Sequence, residues 1–158
     1  MRSPLLLSLL LCCVHAPLQA HELKIVRTWP GYRTAETFSR VSEYFTGREN
    51  TGGQTYLRTQ PREREGYYFL LRVKNGGETV TDATLELNLI TARSPEPATY
   101  RYPVAVPAGQ HVFQVGLTGT DWPNPEETPV AWQLVLRDAQ GALLVSDQSF
   151  LWSKPDRT

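Results

Sequence analysis

Histidine is the side chain that most invites a chemical reading here, because so few copies of it occur. The chain holds 3, at His15, His21 and His111. A cut after Ala20 would remove His15 and make His21 the first residue, offering its α-amine and a ring nitrogen to one metal. His111 would then complete a T-shaped set of three nitrogens, an arrangement that suits Cu(II). The plainer reading makes His21 a frayed terminal residue and His111 the opening of a strand beside a turn. Aromatic rings come second. Trp29, Tyr32 and Trp122 fall at strand ends or in loops, with Tyr100 and Tyr102 behind them, where a flat ring stacks on a sugar or anchors a protein partner. The plainer reading has such rings plug the ends of the fold. Trp132 and Trp152 fall within strands and are expected in the core.

Other routes to catalysis find little support. There is no Gly-x-Ser-x-Gly elbow, and two histidines leave little room for a Ser-His-Asp arrangement. Asp121, Glu126 and Glu127 are close in sequence, but adjacent loop carboxylates are ordinarily solvated. No Asp-x-Asp calcium loop or phosphate-cradling glycine motif is present. The expectation is a protein that binds without catalysing, with copper as the alternative and no other cofactor.

Residues 1–20 read as a secretory signal peptide: Arg2 as the charged head, Leu5 to Val14 as a short apolar run, Ala20 as the exit. The run is about ten residues, short of the roughly 18 to 20 that span a membrane. Both cysteines of the chain, Cys12 and Cys13, leave with that segment. The expected address is therefore secreted or periplasmic, with no membrane span in the mature chain and a core that holds without disulfides. Removing residues 1–20 leaves 138 of the 158 residues (158 less 20), enough for one domain, set at 21–152 with a polar tail at 153–158. Arg2 is the only charged side chain removed, so 16 basic residues become 15 against 16 acidic. That balance disfavours nucleic acid as the main partner. Arg58, Arg62 and Arg64 alternate with Glu63 and Glu65, which reads as a solvated loop.

The elements that would position these residues are short strands. Residues 66–74 (GYYFLLRVK) are apolar on both faces at their start, as a central strand requires. Asn75-Gly76-Gly77 turns the chain, and residues 83–91 alternate Leu85, Leu87 and Leu89 against polar partners. Further strands are expected at 22–28, 55–59, 99–104, 111–117, 130–137 and 143–152. Trp29-Pro30-Gly31 is expected to end the first, and residues 93–98, with two prolines, to connect two others. Asp138 to Gly141 suits a bulged hairpin. Residues 35–45 place Ala35, Phe38, Val41 and Tyr44 or Phe45 at helical spacing, with Thr34 to cap and Gly47 to stop. An edge strand is the alternative there. The sum is an all-β fold, an antiparallel sandwich of seven or eight strands with room for one short helix near residues 35–45.

The runs FLLRVKNGG, DATLELNL and VPAGQHVFQVGL, within residues 66–117, resemble the rhythm of bacterial immunoglobulin-like adhesion and accessory domains. That resemblance implies an immunoglobulin-like sandwich that binds or spaces within an envelope, its partner an envelope protein or a glycan. The pairing of His21 with His111 also resembles the histidine brace of copper-binding periplasmic sandwiches and oxidative polysaccharide monooxygenases, which would make His21 the chelating residue and His111 the second ligand.

Overall fold

The computed structural model describes residues 22–152; residues 1–20, His21 and the tail 153–158 lie outside them. In chain order the strands are β1 (Leu23–Arg33), β2 (Thr55–Arg58), β3 (Gly66–Asn75), β4 (Val80–Thr91), β5 (Ser94–Val106), β6 (Gly109–Thr118), β7 (Ala131–Arg137) and β8 (Leu143–Gln148). They form two four-stranded sheets, ordered β1-β3-β6-β2 and β5-β4-β7-β8, and enclose one core as an all-β sandwich.

The alternation of β3 sets the geometry. Tyr67, Phe69, Leu71 and Val73 point between the sheets, where Phe113, Val115 and Leu117 of β6 and Leu85, Leu87 and Leu89 of β4 are also buried. Each such side chain contributes roughly 1.5–3 kcal/mol by leaving water. Asn75 closes β3 as its turn chemistry requires. Its amide nitrogen donates to the Glu78 and Val106 carbonyls at 2.7 and 3.2 Å, and its Oδ1 accepts from the Gly77 N–H at 3.0 Å. The hairpin at 138–141 is bulged as expected, with Gly141 at φ 82° and a register shift between Leu136 and Arg137.

Four expectations need correction. Trp29-Pro30-Gly31 does not end the first strand: Pro30 stays in register with Phe69 and the ladder runs on to Arg33. As β1 is an edge, the proline turns its donorless nitrogen to the unpaired side. The same reasoning lets β5 begin at Ser94 and carry Pro103 opposite Thr84, so residues 93–98 are mostly strand and not a connection. At the far end β8 stops at Gln148, and Trp152 sits in a turn whose N–H donates to Ser149. The fourth concerns β2, which runs parallel to β6, although the other ladders are antiparallel. Residues 34–54 are therefore a crossover carrying the chain from one edge of the first sheet to the other.

That crossover splits the helix expected near 35–45. Residues 35–38 form one 3-10 turn, Ser39 and Arg40 are extended, and α1 (Val41–Thr46) follows, ended by Gly47 at φ 63°. The extended pair turns Phe38 inward and α1 outward. No helix among the described residues is long and apolar enough to cross a membrane.

Candidate functional site

The outer face of the first sheet divides into a covered half and a bare half. Over the covered half lies the crossover. Tyr68 of β3 points away from the sandwich core yet is fully buried, because Phe38 packs on it at 4.7 Å between ring centroids. Gly116 of β6 makes this possible: a Cβ there would penetrate the Tyr68 ring. Tyr56 of β2 meets Phe38 edge-on at 5.5 Å.

Arg58 caps this aromatic layer, its guanidinium 4.9 Å from the Tyr56 ring centroid and 5.2 Å from that of Phe38. It forks onto Glu49 at 2.6 and 2.8 Å and donates to the Tyr68 hydroxyl at 2.8 Å. Arg64 reaches Glu43 at 2.8 Å and Glu49 at 3.8 Å. Hydrogen bonding from Arg58, working against burial, holds the Glu49 carboxyl below the usual carboxylate range; Arg64 does the same for Glu43. Arg58 and Arg64 are thus latches and not the solvated loop charges the sequence suggested.

The latches also set the pose of α1. Glu43 faces Arg64, and Ser42 accepts from Asn50 at 2.8 Å. The polar side of α1 is therefore turned inward, and Val41, Tyr44 and Phe45 stand 79%, 96% and 86% exposed. Helical spacing placed these residues on one face of a helix and left open which way that face points.

The bare half lies over the opposite end of β1 and β3. Here Lys24 is in register with Lys74, and Arg27 with Arg72, all four exposed. Like charges directly opposite one another repel, and none of the four forms an ion pair among the described residues. A β-bulge at Val26 creates this alignment: in an unbulged ladder Val26 would oppose Arg72, and Arg27 would oppose Leu71 on the core face. The same bulge brings out Trp29, whose ring has the Arg27 and Arg72 guanidiniums 4.8 and 5.1 Å from its centroid.

Of the residues singled out from sequence, Trp29 therefore lies on an open, charged face. Tyr32 packs at the edge of the core and donates to Glu65 at 2.6 Å; burial, then the Glu65 bond and charge, push its hydroxyl up to about 12. Trp122 takes the plainer of its two expected roles. At 2% exposure its ring sits 5.0 Å from Tyr67 and plugs one end of the sandwich, leaving no face for a ligand. Tyr100 and Tyr102 turn inward, and Tyr102 lines a groove of about 490 Å³ between β2 and β5. Trp132 packs against the core as expected, half-buried. Glu127 pairs with Arg93 at 3.1 Å.

His111 stands in the same register row as Val73 and Ile25, its Nε2 2.8 Å from the Thr55 hydroxyl and its ring 4.8 Å from Phe113. Burial holds its pKa below the ordinary histidine value. A copper ligand at Nε2 would have to displace Thr55, and His21, the other half of the proposed brace, lies outside the described residues. Among those residues no cluster of three or more His, Cys, Asp or Glu could hold a metal.

Sequence spacing missed Lys24, Arg27, Arg72 and Lys74. The alternation of cations with Trp29 was visible, but the bulge that puts them on one face was not. The sequence matches no family model and no curated protein.

Proposed function

We propose that the chain is an exported, non-catalytic binding module, immunoglobulin-like in kind, that holds a protein partner through α1. The observation that carries this reading is the inverted helix. Val41, Tyr44 and Phe45 occupy the i, i+3, i+4 positions that anchor a helix in a groove, and the latches on the polar side keep them in water. Large apolar groups held outward in this way mark an interaction surface. Arg40 and Arg48 flank the triad, both exposed and without an ion pair among the described residues. The fitting partner is a protein with an apolar groove rimmed by carboxylates. Export rests on the leader-like residues 1–20, and the absence of catalysis on Glu43, Glu49, Glu86 and Glu127 being committed to arginines.

A photoreactive residue in place of Tyr44, set beside one in place of Gln140, tests this in cells that secrete the protein. A crosslink specific to position 44, landing on an apolar segment flanked by Asp or Glu and lost in Phe45→Ser, is the expected result. Equal crosslinking at both positions, or none at 44, overturns it.

A further inference from the structure

From the bare half of the first sheet we infer a second site, separate from α1: a surface that binds an acidic polysaccharide through Lys24, Arg27, Arg72 and Lys74. The β1–β3 ladder carries an electrostatic anomaly. Two successive outward-facing rows place cation opposite cation, an arrangement sheets avoid because it destabilises them. The anomaly is built and not incidental, since the bulge at Val26 brings Arg27 to the face that already carries Arg72.

Trp29 makes the crowding tolerable. Its ring faces both guanidiniums at about 5 Å, and the negative ring face attracts each of them. It acts as a positioning residue, holding both guanidiniums against one ring. The closest comparison is internal: Arg58 and Arg64, on the same sheet face, each have a carboxylate. Arg27 and Arg72 are left with theirs to be supplied from outside. Asp147, across the flank from β1, already accepts from Thr28 at 2.6 Å.

The shape of the site narrows the ligand. On β3 the two cationic rows are two residues apart, roughly 7 Å along the strand, on the outward face of a sheet. A flat, repeated array of cations suits an extended polymer carrying regularly spaced anions. Arginine forks pair bidentately with carboxylates. The leader-like segment, and the equal count of 16 basic and 16 acidic residues, favour an acidic glycan over nucleic acid.

Titration of the protein with polygalacturonate, followed by tryptophan fluorescence at several salt concentrations, tests the site. Binding that weakens with salt is expected. Arg27→Gln combined with Arg72→Gln should lower affinity about tenfold or more and flatten the salt slope by about one to two, while Arg62→Gln changes neither. Unaltered thermal unfolding confirms that each variant folds, and neutral dextran should not bind. The inference is overturned if polygalacturonate fails to bind at low salt, or if the double variant binds equally well. It is also overturned if oligo(dT) or anionic phospholipid vesicles bind more tightly than the polysaccharide.

Discussion

The two halves of one sheet face use the same residue types to opposite ends. Under the crossover, Arg58 and Arg64 meet Glu43 and Glu49 over a buried tyrosine, and charge serves as a fastener. On the bare half, Arg27 and Arg72 meet each other over a tryptophan, and charge is left uncompensated. Arginine content does not distinguish the halves; the supply of carboxylates does. The crossover brings its own glutamates from residues 43–49, whereas at the bare end no carboxylate among the described residues pairs with the four cations. An arginine becomes structural or available according to what the connecting chain carries past it.

The contrast can be broken at several points, beginning where the effect should be largest. Phe38→Ala removes the ring that covers Tyr68, and urea unfolding should show a loss of about 3 kcal/mol; a loss below about 1 kcal/mol would mean that the crossover does not seal this half. Gly116→Ala forces the Tyr68 ring off the sheet and should cost about 1–3 kcal/mol, with tyrosine amide exchange rising on β3. Glu49→Gln should cost about 1 kcal/mol at neutral pH, discounted for the partial exposure of the carboxylate. Because the folded-state pKa of Glu49 is depressed, its contribution is present above the ordinary carboxylate range and vanishes as pH falls through the folded value. The gap between wild type and Glu49→Gln should therefore close below about pH 4; a gap that stays constant with pH would show that the latch is not electrostatic. On the bare half the sign reverses. Lys74→Glu should stabilise the fold by about 0.2–1 kcal/mol, since a repulsive cross-strand pair becomes attractive, and added salt should shrink that gain.

The legible part of this molecule was whatever a single strand's alternation could encode. Tyr67, Phe69, Leu71 and Val73, with Leu85, Leu87 and Leu89, reach their faces as their period of two requires, and Asn75 and Gly141 turn the chain where their chemistry allows. What stayed hidden depends on relations between segments. Pro30 looked like a breaker because nothing local says that β1 is an edge. Which way Val41, Tyr44 and Phe45 would face was hidden because the partners that pull Ser42 and Glu43 inward, Asn50 and Arg64, lie 8 and 21 positions away. Of the site residues, Trp29 was found by its position at a strand end, whereas the register that aligns Arg27 with Arg72 follows from one unpaired residue, Val26. Trp122 kept two readings for the converse reason: a loop rich in Pro, Asn and Glu does not say whether its ring faces a ligand or folds back against Tyr67.

The parallel pairing of β2 with β6 has a consequence in time. Thr118 donates its backbone N–H to Thr59, 59 positions earlier, and Gly116 accepts from the Thr59 N–H at 3.0 Å. A ribosome releases the crossover and β2 long before it releases the strand that receives them. Contacts so distant in sequence close late, so residues 34–64 emerge as pliant chain and stay so until β6 follows. On the export proposed above, which threads a chain lengthwise, this late-closing N-terminal half is a delay written into the topology.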